Sequence, residues 1–176
     1  PMKRLLKAFK TLLSLSFIVA VVLAADAQDK SKRPSPPAQT KATVDGTAVT
    51  IDYSQPAVKE RKVWDGLVPY GKVWRTGANE ASWIEVSKDV TINGKNLPKG
   101  KYGLFTIPGE EEWTIIFNKT WDQWGAYDYD SEKDVLRISA KSEKSDKFYE
   151  RFTIDVNDSG TVSMSWENLA VKFDIK

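Results

Sequence analysis

The chain has 176 residues, with 26 Lys and Arg against 24 Asp and Glu, no Cys and no His. Without Cys there is no disulfide and no thiol chemistry, and without His the commonest general base and the commonest transition-metal ligand are both missing. Four of the basic residues and one of the acidic ones precede residue 28, so the rest carries 22 against 23, a net charge of −1 that argues against nucleic acid as a partner.

Lys3, Arg4, Lys7 and Lys10 form a basic lead, followed by an apolar run from Leu12 to Ala25 and the small-x-small triplet Ala25-Asp26-Ala27. This is the pattern of a secretory signal peptide over 1–27, cleaved before Gln28. The run falls short of the ~20 apolar residues a spanning helix needs. The expectation is an exported protein, periplasmic or secreted, with no membrane span in the mature chain. Residues 28–39 hold Pro34, Pro36 and Pro37 among charges, with no apolar period, and read as a linker or disordered lead-in.

From Thr40 to Lys176 the pattern is strands. Val49, Ile51 and Tyr53 alternate with Ala48, Thr50 and Asp52 after an Asp45-Gly46 turn signal. Ile84 and Val86 follow, then Val90 and Ile92 leading into Asn93-Gly94, a strong hairpin signal. Tyr102, Leu104 and Thr106 run to the breaker Pro108-Gly109, and Trp113, Ile115 and Phe117 form the next strand. An irregular segment, 118–134, separates these from a strand over 135–140. Lys141 to Lys147 reads as a charged, solvated loop. Phe148, Phe152, Ile154 and Val156 then share a face; after an Asn157–Gly160 turn come one strand through Val162, Met164 and Trp166 and another through Leu169, Val171, Phe173 and Ile175. About nine strands with turns between them predict one all-β domain, an antiparallel sandwich or jelly roll.

The stretches VTIDYSQPAVKERKVWDGLVPYGKVWRTGANEA, LPKGKYGLFTIPG, EWTIIFNK, QWGAYDYD and DVLRI resemble an exported bacterial family, common in Bacteroidetes, known as domain of unknown function 2911. The resemblance runs from about Ala38 to Ile138. It implies export and an all-β domain, and it brings no activity and no catalytic residue.

The segment LVPYGKVWRTGANE, Leu67 to Glu80, has no strand period and gathers Tyr70, Trp74, Arg75, Asn79 and Glu80. Two readings stay open. In one, Trp74 is an apolar wall, Arg75 a fork for a carboxylate or phosphate, and Asn79 and Glu80 directional hydrogen-bonders. In the other the segment covers an open edge of the sandwich, with Trp74 in the core and Arg75 paired to a carboxylate such as Glu80 or Asp52. Of seven tryptophans, Trp113 and Trp166 fall in core register, while Trp121 and Trp124 lie in the irregular segment and suit stacking on a sugar face. The expected ligand-binding set is therefore Tyr70, Trp74, Arg75, Asn79, Glu80, Trp121 and Trp124. No catalytic residue, metal site or cofactor is expected: Ser54 has no base partner, and YDYDSEKD departs from a calcium loop, with Lys133 where the glycine belongs. A binding module for a small polar ligand or glycan is the leading function. An envelope-protein interaction domain is the alternative, and a glycan hydrolase using Asp52 with Glu80, or Glu80 with Asp122, is the third.

Overall fold

A computed structural model of the protein describes residues 29–176, so the signal peptide expected over 1–27 lies outside the described residues. Two units separate. Within the first, residues 29–33 hold one short 3-10 turn, Lys30–Lys32, whose Asp29 side chain accepts from the Ser31 backbone N–H. The second unit is Pro34–Lys176.

This unit is built from nine antiparallel strands: β1 (Pro37–Val44), β2 (Thr47–Ser54), β3 (Trp83–Val86), β4 (Val90–Ile92), β5 (Lys95–Leu97), β6 (Gly100–Ile107), β7 (Glu112–Asn118), β8 (Asp134–Val156) and β9 (Thr161–Asp174). Seven of them make one sheet in the order β1-β2-β3-β6-β7-β8-β9, and β4 and β5 form a separate hairpin. The Asp45-Gly46 and Asn93-Gly94 turns have positive φ at both residues, as a primed hairpin turn requires. β1 begins at Pro37, inside the stretch read as lead-in.

The layering comes from one sheet that curls on itself. β8 pairs with β7 in its first half. Its second half lies against the end of β2 and the residues that follow it: Val58 N–H donates to Glu150 O at 2.8 Å, Phe152 N–H to Pro56 O at 2.9 Å, and the Tyr53 hydroxyl to Ile154 O at 3.2 Å. Apolar side chains of alternating strands then face a common interior.

Three further details differ from the sequence reading. The charged run Lys141–Lys147 is part of β8, where Ser142, Glu143 and Lys144 pair with Val171, Ala170 and Leu169 of β9. Phe148 is 51% exposed, not in line with Phe152. Register shifts on either side of Tyr149 reset the inside-outside phase there, as a bulge does. β9 is likewise one strand where two were expected, with a bend at Glu167, whose φ is +57°.

The interior is dominated by tryptophan. Trp64, Trp74, Trp113 and Trp166 pack as one cluster with centroid separations of 5.0–6.2 Å, and Phe152 joins Trp74 at 5.1 Å. Such ring pairs each add about 0.5–1.5 kcal/mol beyond the area they bury. Trp113 and Trp166 are core, as their register predicted.

Candidate functional site

The Leu67–Glu80 segment is fixed to the sheet as an irregular continuation of β3. Beyond the end of β3, Trp74 takes the place next to β6: its N–H donates to Thr106 O at 2.7 Å and its carbonyl accepts from Thr106 N–H at 3.0 Å. The Thr76 and Thr106 hydroxyls bond at 3.1 Å, and the Ser82 hydroxyl donates to Thr76 O at 2.7 Å. These bonds hold Thr76 at φ +56°, an uncommon conformation for a β-branched residue. Gly77 is required: its φ is +154°, and a Cβ there would meet Ser54 O and Ser82 Oγ at 3.0 Å.

This backbone path sends the Trp74 ring inward. Trp74 is 8% exposed, stacks on Trp166 at 6.0 Å with planes 14° apart, and donates its indole N–H to Gly77 O at 3.1 Å. The next side chain, Arg75, goes to the edge of a cleft of about 210 Å³. Trp74, Trp166, Pro56, Leu67 and Val68 supply its apolar walls, and Arg61 joins Arg75 as the second cation. No Asp or Glu lines it.

The two arginines are held differently. Arg61 is anchored by its own turn, with Nε donating to Val58 O at 3.0 Å and Nη2 to Ala57 O at 2.6 Å. Arg75 is half-buried, its Nε is buried with no hydrogen-bond partner, and among the described residues it has no ion pair. Burial pulls its pKa down, and the nearby Tyr127 side chain acts the other way. A guanidinium does not deprotonate in a protein, so burial here leaves an uncompensated cation. Among the described residues no ion pair joins it to Glu80 or Asp52, the carboxylates expected for it, whereas Trp74 is buried in the core.

The other predicted site residues lie elsewhere. Asn79 acts one step behind the cleft: its side-chain N–H donates to Ser35 O at 3.0 Å, and Ser35 forms part of the rim. Glu80 is bridged through its backbone to Trp124, which is 54% exposed. Tyr70 has its pKa raised by partial burial and then by Glu110, Asp65 and Glu167, acidic surroundings that disfavour an anion. Trp121 faces Trp83 on the outer side of the sheet, and the Lys101 ammonium sits 3.6 Å from both ring centroids. Gly103 makes this possible, since a Cβ there would meet Thr120 O at 2.8 Å. The cleft thus unites Trp74 and Arg75 and leaves out Tyr70, Asn79, Glu80, Trp121 and Trp124.

The sequence reading missed Arg61, Leu67, Val68 and Trp166 as cleft residues. Trp166 carried only a core signal, and Arg61 lay in a charged run with nothing to mark it. Neither Asp52, Glu80 nor Asp122 lines the cleft. Among the described residues no three acidic side chains gather where a metal ion would be held, and no helix is long and apolar enough to cross a membrane. A larger depression of about 420 Å³ beside the β4–β5 hairpin is lined by Asp89, Asn96 and Lys176 among others. It contains no buried polar group lacking a partner, so the smaller cleft is the better candidate.

The family model described as a protein of unknown function, DUF2911, matches residues 35–175. The chain belongs to this family. The match takes in the whole DUF2911 sheet and every residue of the cleft. No curated protein and no solved structure was found to match the chain.

Proposed function

We propose that this DUF2911 protein is an exported binding module whose cleft takes a small organic anion with an apolar body. The observation that carries the reading is Arg75, a half-buried cation with an orphaned Nε and no carboxylate beside it. A buried charge is costly unless paired, and an anionic ligand is the partner that the cleft leaves out. Arg61 adds a second positive charge, while Trp74, Leu67 and Val68 offer the surface on which a carbon skeleton lies. The roughly 210 Å³ of space corresponds to about seven water molecules at ~30 Å³ each, which suits a short carboxylic or sugar acid more than an oligosaccharide. The signal-peptide pattern of residues 1–27 supports export, and fractionation that finds only unprocessed chain in the cytoplasm would remove that part.

The test is a thermal-shift comparison of short carboxylates and sugar acids with their neutral alcohols and sugars. A ligand present at a hundred times its Kd stabilises by about 2.7 kcal/mol, a rise of roughly 5–10 °C for a chain of this size. The acids should give the shift and the neutral counterparts should not. Equal shifts from both, or shifts only from neutral sugars, would mean that the arginines do not select the ligand.

A further inference from the structure

We infer that the ligand carries two anionic groups, one for Arg61 and one for Arg75, and is a short dicarboxylate lying across the cleft. The inference rests on the anion-binding reading just given and narrows it. Two arginines line one small cleft, and no acidic residue is among its lining residues. Arg75 is half-buried and Arg61 exposed at the same cleft, and a monoanion compensates only one of the two cations. Their attachment differs in a way that suits two separate contacts. Arg61 spends Nε and Nη2 on the carbonyls of Val58 and Ala57, which fixes the plane of its guanidinium and leaves Nη1 for a ligand. Its ordering cost is met in the folded chain before any ligand arrives. Among the described residues Arg75 Nε has no hydrogen-bond partner, and its Nη donors suit a carboxylate, which the flat guanidinium fork matches. Trp74, Leu67 and Val68 line the same cleft and offer a surface for methylene groups. A four- or five-carbon diacid, with about eight or nine heavy atoms, slightly exceeds the roughly seven water-sized groups that this volume holds at ~30 Å³ each, so it fills the cleft.

The test is titration calorimetry on the full chain with butyrate, succinate, glutarate and inorganic phosphate at fixed ionic strength. Succinate or glutarate should bind at least about tenfold more tightly than butyrate, an increment in keeping with one further charge-assisted contact. In Arg61→Gln the diacid preference should fall to within about twofold. The preference is a ratio measured on one protein, so it is read independently of any change in stability. Should Arg61→Gln not fold, Arg61→Lys replaces it and should weaken the preference, because the carbonyl-anchored fork is lost. Butyrate binding as tightly as the diacids overturns this inference and leaves the anion-binding reading in place. Phosphate binding more tightly than either diacid overturns it too, by placing both charges on one centre. No heat from any of the four overturns both.

Discussion

Arg75→Met gives opposite signs for the two accounts of the central segment. Methionine keeps a flexible apolar stem of similar length and removes the guanidinium. If Arg75 held a carboxylate, breaking the pair would orphan that partner and cost about 3–5 kcal/mol. The structure places no such partner there and leaves Nε buried without a bond. Removing a buried, unsatisfied donor recovers about 1–3 kcal/mol. Because the side chain is only half-buried, the lower end applies, about 1 kcal/mol, equivalent to a rise in Tm of roughly 2–4 °C. The assay is a pair of urea and thermal melts in a buffer free of carboxylate and phosphate, so that no ligand masks the effect. The midpoint should rise with the m value unchanged, and the anion-induced shift should vanish in the same variant. Such a trade of stability for binding is expected where a site keeps a strained or unpaired group. A fall in Tm of several degrees would refute the reasoning, because it would mean that the guanidinium is a structural partner.

Gly77→Ala should lower Tm by several degrees, since φ +154° is strained for any side chain and the new methyl meets Ser54 O at 3.0 Å; such strain costs on the order of 1–3 kcal/mol, and unaltered melting would show that the segment relaxes. Lys101→Met should lower stability by about 0.5–1 kcal/mol, the worth of an exposed cation–π contact, and should shift tryptophan emission, because the ammonium lies 3.6 Å from both Trp83 and Trp121. Tyr129 has its pKa pushed up to about 12 by partial burial and by its hydrogen bond with Asp134. Its folded pKa exceeds the unfolded value near 10, so the stabilisation is complete below about pH 10 and is lost as pH climbs toward 12. Denaturation midpoints across that window should fall in the wild type and less steeply in Tyr129→Phe; parallel profiles would show that Tyr129 is not the group responsible.

The strands were legible because alternation is a local signal. Val49, Ile51 and Tyr53 face inward and are buried, and the two Xaa-Gly turns adopt the positive φ values their residues tolerate. β8 was legible only at its two ends. Between them Lys141–Lys147 extends the β8–β9 ladder while burying little beyond Ser145, so its composition is that of a loop and only the partner strand reveals it. Phe148 was misplaced for a related reason: alternation carries no record of a bulge, and one shifted residue reverses every face that follows. The site was half legible. Trp74 and Arg75 stood out as a large aromatic and a cation in a segment without period, and both reach the cleft. Asn79 supports the rim through Ser35, a contact 44 residues apart that no spacing announces. Arg61 and Trp166 were illegible as cleft residues because the curl of the sheet brings them together, and long-range closure leaves no local pattern.

The anion-binding account is tested most directly by calorimetric titration of succinate into the wild-type protein and into Arg75→Met. The account predicts saturable binding to the wild type that is lost in a variant that melts no lower than its parent. Binding of equal strength to both proteins would contradict it, because the orphaned guanidinium would then have no part in holding the ligand.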